Sequence, residues 1–331
     1  MAKPLTLSQA FQGMILEKQA AGLSAHTISD YRNTLAKAQL FFPNDPPFTS
    51  ITRERLVKFF AWLGNDYVTR PDGAAPRGEF KLGAKSRLNI HTNLSALWTW
   101  AVACGYAGTN IVRTIPAPDV EETVIDPLTT VEITAMFKAC DTARTYKIRQ
   151  EKNVSPARAT AARDRMIIML LFDTGLRAQE LCDLILDDLD MTQHKIRVRH
   201  GKGNKPRTVR FGRRCAKAIW EYLKDRDDAG TKPTVPLLLV AEGNDPRPMN
   251  RHVLRRLLKR IGERAGVKNV HPHRLRHSFA TEYLRNGGKM LALQELLGHS
   301  DLEMVRRYAR FVEADIALDH AEASPADKLR L

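Results

Sequence analysis

Four short stretches of the sequence carry side chains that could act together on a phosphate. In Thr174-Gly175-Leu176-Arg177-Ala178-Gln179-Glu180, an arginine lies just past a glycine break, where a helix is predicted to start. Lys202 sits between Gly201 and Gly203. His271-Pro272-His273-Arg274-Leu275-Arg276-His277 concentrates histidines and arginines, and Leu297-Gly298-His299 is followed nine residues later by Tyr308. Each has a plainer reading alone. Arg177 could be a surface arginine paired with Glu180 at i,i+3. Lys202 could be a solvated turn residue, since the glycine spacing and Lys-Ser/Thr pair of a Walker loop are missing. His273 and His277 have the i,i+4 spacing of a helical zinc pair, but Arg274 and Arg276 between them would repel a cation, and no glutamate follows the first histidine. Tyr308 shares a helical stripe with Leu302, Val305 and Val312, as a core residue would. Taken together, two arginines, a lysine, two histidines and a tyrosine on an inner helical face suit a phosphodiester. Clustered arginines need an anion, and a buried tyrosine hydroxyl needs a polar partner.

The elements that must position these residues are mostly helices. Residues 5–118 read as four of them. The first has Leu7, Phe11, Met14 and Ile15 at helical spacing and stops at Gly22. The second is capped by Ser24 or Thr27, and the third places Leu56, Phe59, Phe60 and Leu63 on one side. The fourth has Leu88, His91, Leu94, Leu97, Trp98 and Ala101 on its inner stripe and presents Lys85 and Arg87 outward. A Gly- and Pro-rich loop, about 69–83, separates the last two helices. Pro116, Pro118 and Pro127 mark a linker. This gives a helical domain over 1–118, a linker over 119–127 and a second domain over 128–331, which opens on a helix capped by Thr129 or Thr130.

In the second domain, 141–160 is polar and basic and reads as a loop or an irregular helix extension. Two helices then flank Gly175. Ile196 and Val198 alternate with Arg197 and Arg199, and Val209 and Phe211 with Thr208 and Arg210, around a turn containing Gly201, Gly203 and Asn204. This is the one clear strand signal, a hairpin. Nine Lys/Arg and no acid lie between Met191 and Arg214, so the hairpin should lie on something anionic or in water. Helices follow at 213–225, 250–265, 273–286, 289–297 and 301–312, the last opened by the capping-box pattern Ser300-Asp301-Leu302-Glu303. The expected fold class is mainly α with a small β-hairpin.

Composition narrows the function classes. Lys plus Arg is 52 against 37 acidic residues, a net charge of +15 over 331 residues. Such a chain attracts polyanions, and nucleic acid is the leading partner. No stretch approaches 18 apolar residues, so a membrane span is not expected. The start has no hydrophobic signal core, and Cys104, Cys140, Cys182 and Cys215 lack CxxC spacing. A cytoplasmic protein with reduced thiols and no structural zinc is expected.

The order Arg177, Lys202, His273-x-x-Arg276, His299, Tyr308 resembles the signature of the tyrosine recombinases, the phage integrase family. "TGLRAQEL", "HPHRLRHSFAT", "LQELLGHS" and the tyrosine nine residues after His299 match that family's boxes over 128–312. The N-terminal helices resemble its core-binding domain. Val305 departs from the threonine of many members, and 141–160 is longer than in minimal ones. With no arm-binding module ahead of the first helix, the chain is most similar to Xer-like and mobile-element members. The resemblance implies an all-helical DNA-binding domain and an α+β catalytic domain that cleave and rejoin DNA through a 3′-phosphotyrosyl bond, without metal, ATP or other cofactor. It implies Tyr308 as nucleophile, Arg177 and Arg276 on the non-bridging phosphate oxygens, and His273 as proton acceptor. Lys202 would be the acid for the leaving 5′ oxygen, His299 a phosphate hydrogen bond, and Glu180 an orienting residue. Exchange between two duplexes implies a homotetramer, with a monomer possible in solution. A type IB topoisomerase with the same chemistry and a DNA-binding accessory protein without cleavage are the alternatives.

Overall fold

The computed structural model describes residues 4–69, 80–120, 126–141, 146–147, 153–154, 160–199, 206–224, 226, 234–242 and 245–298. Contacts divide the chain into two units, Met1–Thr123 and Val124–Leu331, and each has its own apolar core.

In the first unit, polar caps set where each helix begins. α1 (Leu7–Ala20) starts with a reciprocal box, in which Thr6 Oγ1 accepts the Gln9 N–H at 3.3 Å and Gln9 Oε1 accepts the Thr6 N–H at 3.0 Å. Ser24 caps α2 (Ala25–Phe41), and Thr52 caps α3 (Arg53–Asn65). The described ends of the expected 69–83 loop pair as antiparallel strands, β1 (Val68–Thr69) with β2 (Phe80–Lys81). Two residues are too few for alternation to register in a sequence. α4 (Ala84–Ala103) buries Ile90, Leu94, Leu97, Trp98 and Ala101. The steps of four, three and four from Ile90 through Leu94 and Leu97 to Ala101 define the inner stripe. Leu88 and His91 are only half-buried, on its flank.

The second unit opens on α5 (Thr130–Lys138), whose N-cap Thr129 forms a capping box with Glu132. Tyr146–Lys147 (β3) pairs antiparallel with Asn153–Val154 (β4), so the 141–160 stretch holds a strand pair rather than only loop or helix. α6 (Ala161–Thr174) is the central helix. Met166, Ile167, Ile168, Leu170 and Leu171 are all fully buried, so it is apolar around most of its circumference. Gly175, in the left-handed region at φ 61°, ends it, and α7 (Ala178–Cys182) follows.

The predicted hairpin is present and gains a third strand. β5 (Leu189–Asp190), β6 (Lys195–Val198) and β7 (Arg207–Arg210) form one antiparallel sheet in that order, with Val198 opposite Arg207. Ile196, Val198 and Val209 are buried on its inner face. Its cations are answered largely from within. Arg197 lies 3.4 Å from Asp187 and 3.5 Å from Asp188, Arg199 lies 3.1 Å from Asp188, and Arg207 binds Glu180. The expectation that this charge lies on an external anion or in water is corrected for Arg207, whose side chain is 11% exposed, while Arg197 pairs with acids and still stands 58% exposed. The acids that pair with them sit upstream, outside the 191–214 window.

α8 (Arg213–Leu223) packs on α6. A second hairpin, β8 (Leu239–Glu242) with β9 (Asp245–Pro248), lies between the expected helices 213–225 and 250–265, where no strand was expected. Pro246 and Pro248 hide it from a strand search, and a two-stranded pair tolerates them because both strands are edges. α9 (Arg251–Ala265), α10 (Pro272–Arg285) and α11 (Met290–Leu297) complete the described fold. No described helix is long and apolar enough to cross a membrane.

Candidate active site

The site is built where α6 ends, α7 begins, and α10 and α11 converge. Gly175 makes the convergence possible. A Cβ there would lie 2.4 Å from Phe279 Cδ1 on α10 and 2.9 Å from Leu297 Cδ2 on α11. Its left-handed φ and this close approach both require glycine. Leu176 is then fully buried, and Arg177 falls at the N-cap of α7 in extended conformation.

Arg177 is held by Glu180. The Arg177 backbone N–H donates to Glu180 Oε2 at 2.8 Å, and Arg177 Nη1 donates to Glu180 Oε1 at 2.8 Å. Arg177 Nη2 donates to the Gly298 carbonyl at 3.3 Å. Its side chain remains 28% exposed, open to a ligand.

Arg276 is 2% exposed and is the largest fully buried side chain described. Nη1 donates to the Gly175 carbonyl, and Nη2 to the Leu297 carbonyl at 2.6 Å. Both carbonyls end helices, so the guanidinium satisfies acceptors that lack intrahelical donors and sits at the negative ends of α6 and α11. Arg177 and Arg276 therefore reach consecutive carbonyls, Gly298 and Leu297, and their guanidinium groups are neighbours.

α10 starts with Pro272 at its first turn, where the missing N–H costs nothing, and His271 Nδ1 caps it by accepting the Arg274 N–H at 3.2 Å. Arg274 faces structure, donating to the Asp126 carbonyl at 2.9 Å and the Lys268 carbonyl at 2.6 Å. Ser278, also on α10, accepts the Leu128 N–H at 2.6 Å and ties the unit's start to the site. His273 projects one turn before Arg276, and its ring lies edge-on to His277 at 4.5 Å. Loss of water around the ring lowers its pKa below the ordinary 6.5, and the positive charges of Arg276, His271 and Arg177 lower it further. A neutral ring next to two arginines is a proton acceptor.

Glu180 is 6% exposed. Burial alone would raise its pKa, but hydrogen bonds and charge from Arg207, with the bonds from Arg177, outweigh that and hold it at about 2. Arg207 grips it with Nη1 to Oε1 at 2.7 Å and Nη2 to Oε2 at 2.8 Å, a bidentate fork. Arg207 was not among the sequence candidates. The signal was available in strand parity. Arg207, Val209 and Phe211 share one face, and Val209 and Phe211 are buried.

The structure thus brings together Arg177, Glu180, His273 and Arg276, and adds Arg207. Lys202, His299 and Tyr308 lie outside the described residues. Among the described residues no cluster of His, Cys, Asp and Glu could hold a metal.

The family model described as "Phage integrase family" matches residues 128–314. Tyrosine recombinase XerC of Mycobacterium sp. (strain JLS) is 30% identical over 308 residues, covering 92% of this chain and 94% of that protein. Tyrosine recombinase XerA of Thermococcus kodakarensis is 39% identical over 170 residues, covering 51% of this chain and 58% of that protein's length. The Tn1549 transposon integrase, solved in complex with a circular intermediate DNA, shares the fold. It has a TM-score of 0.69 at 18% identity, covering 96% of this chain and 99% of that one.

Proposed function

The chain belongs to the phage integrase family, the tyrosine recombinases, and from that premise we propose that it binds double-stranded DNA, cuts one strand through Tyr308 and rejoins it. The observation that carries this reading is the pair of neighbouring guanidinium groups, Arg177 and Arg276, held on consecutive carbonyls beside His273.

A phosphodiester under attack gains negative charge on its non-bridging oxygens. Two fixed guanidinium groups stabilise that charge without reorganising, because the protein has already oriented them. Arg276 is fixed by helix ends and Arg177 by Glu180, so neither must be ordered when substrate arrives.

Tyr308 attacks phosphorus, the new O–P bond forms at the 3′ side, and the 5′ oxygen leaves. A tyrosine hydroxyl titrates near 10, so a base must take its proton as the bond forms. His273, whose pKa is lowered by burial and then by the nearby positive charges, fills that role. Lys202 returns a proton to the leaving 5′ oxygen, and His299, immediately after Gly298, donates to a phosphate oxygen. The phosphotyrosyl bond conserves the energy of the broken bond, so religation is the same step reversed and needs no ATP.

In this reading residues 1–118 form a DNA-binding domain and 128–331 the catalytic domain. Binding draws on the outward face of α9, where Arg251, Arg255, Arg256, Lys259 and Arg260 are exposed. Phosphate contacts made through these residues would weaken binding by about 0.9 log unit per contact for each tenfold rise in salt. Exchange between two duplexes takes four copies of the chain.

The test is covalent trapping on a nicked duplex, where loss of the short cleaved fragment prevents religation. A denaturant-stable protein–DNA adduct that forms in excess chelator supports the reading. No adduct, or one abolished by chelator, overturns it.

A further inference from the structure

Among the described residues, Arg207 is a largely buried cation at the site to which the chemistry above gives no role. Its side chain is 11% exposed, against 28% for Arg177. Three of its donors point into the protein: Nη1 and Nη2 to the two oxygens of Glu180, and Nε to the Leu296 carbonyl at 2.9 Å. It also packs on Gly298, where a Cβ would lie 3.3 Å from Arg207 Cδ. One side chain on β7 therefore touches α7 through Glu180 and the end of α11 through Leu296 and Gly298. These same two elements hold Arg177, which donates to Glu180 and to Gly298.

We propose that Arg207 is a positioning residue for strand cleavage: by clamping Glu180 against the end of α11, it fixes the direction in which the Arg177 guanidinium is presented. The proposal rests on the recombinase reading and deepens it. Glu180 uses both oxygens on Arg207 while each also accepts from Arg177. Without Arg207 a buried carboxylate keeps one cationic partner, burial favours its protonation, and a protonated Glu180 no longer holds Arg177 by charge. Because Arg207 lies on β7, the clamp also ties the β5–β7 sheet to the phosphate grip.

The experiment is a double-mutant cycle read by single-turnover adduct formation on the nicked duplex. It uses Arg207→Gln, Glu180→Gln and the double variant, with thermal unfolding measured for each. Arg207→Gln should slow cleavage by roughly 10- to 100-fold, the range for losing charged hydrogen bonds. Its deficit relative to the unsubstituted protein should grow as pH is lowered from about 7 to 5, as Glu180 titrates. In the Glu180→Gln background the Arg207 substitution should add little further loss, and the acid-side deficit should vanish. The Glu180 carboxyl, followed by carbon-13 NMR in the free protein, should titrate near 2 with Arg207 present and move up toward 4.5 or beyond without it. Arg207→Lys keeps the charge but loses the fork and should fall between. It also reads the cycle if Arg207→Gln does not fold. Losses that multiply in the double variant, or an unmoved Glu180 titration, would overturn the proposal. A protein that traps no DNA even with Arg207 intact would overturn the recombinase reading instead.

Discussion

Arg276 and Arg177 donate to adjacent carbonyls at the end of α11, Leu297 at 2.6 Å and Gly298 at 3.3 Å. The spacing of the two guanidinium groups is thus set by one peptide unit. Arg276 adds the Gly175 carbonyl at the end of α6, so its position is fixed from two helices. The charge proposed to act on the phosphate is built into the same bonds that close the fold.

Arg276→Lys tests that dual role. A lysine carries the charge but cannot span both carbonyls, so one becomes a buried acceptor without its donor. Stability should fall by about 1–3 kcal/mol, the cost of an unsatisfied buried polar group. Adduct formation should slow by roughly 10²-fold or more, as when one donor to a developing oxyanion is lost. Urea unfolding and covalent trapping measure the two effects. Full stability combined with lost cleavage would separate Arg276 from the helix ends.

Gly175→Ala tests the convergence beneath the site. The new Cβ would meet Phe279 at 2.4 Å while the backbone stays at φ 61°. Strain and overpacking together should destabilise by about 2–4 kcal/mol. A variant that unfolds with the unsubstituted protein in urea would mean that α10 can shift freely away from α6.

The pH dependence of cleavage follows from His273. Its pKa is lowered from 6.5, so the charged form is disfavoured and the neutral acceptor persists to lower pH. As pH falls, the rate should hold through 6.5 and drop only below it, once the ring is protonated. His273→Gln should lose that acid limb along with much of the rate. A limb centred above 6.5 in single-turnover trapping would contradict the neutral-base assignment.

Much of this arrangement could be read from the chain. Thr6, Ser24, Thr52 and Thr129 announce their helices through local hydrogen bonds, and Gly175 announces a break because few other residues adopt its φ. Arg177, His273 and Arg276 were visible as motif residues. Arg207 was not, because it looked like one of nine like charges. Its meaning depends on Glu180, 27 positions away, and on strand parity that places it inward with Val209. The pairings of Arg197 and Arg199 with Asp187 and Asp188 were hidden in the same way. β1 to β4 have two residues each, below the length at which alternation carries information. β9 carries prolines that argue against a strand until its edge position is known.

In the proposed reaction a tyrosine of this chain becomes joined to DNA within the arginine grip. Proteolysis of the trapped adduct, followed by mass spectrometry of the nucleotide-linked peptide, tests it directly. A single modified peptide is expected, joined through a 3′ phosphate to Tyr308, and no such peptide from Tyr308→Phe although that variant still binds the duplex. Attachment at another residue such as Tyr283, a 5′ linkage, or an adduct surviving in Tyr308→Phe would contradict it.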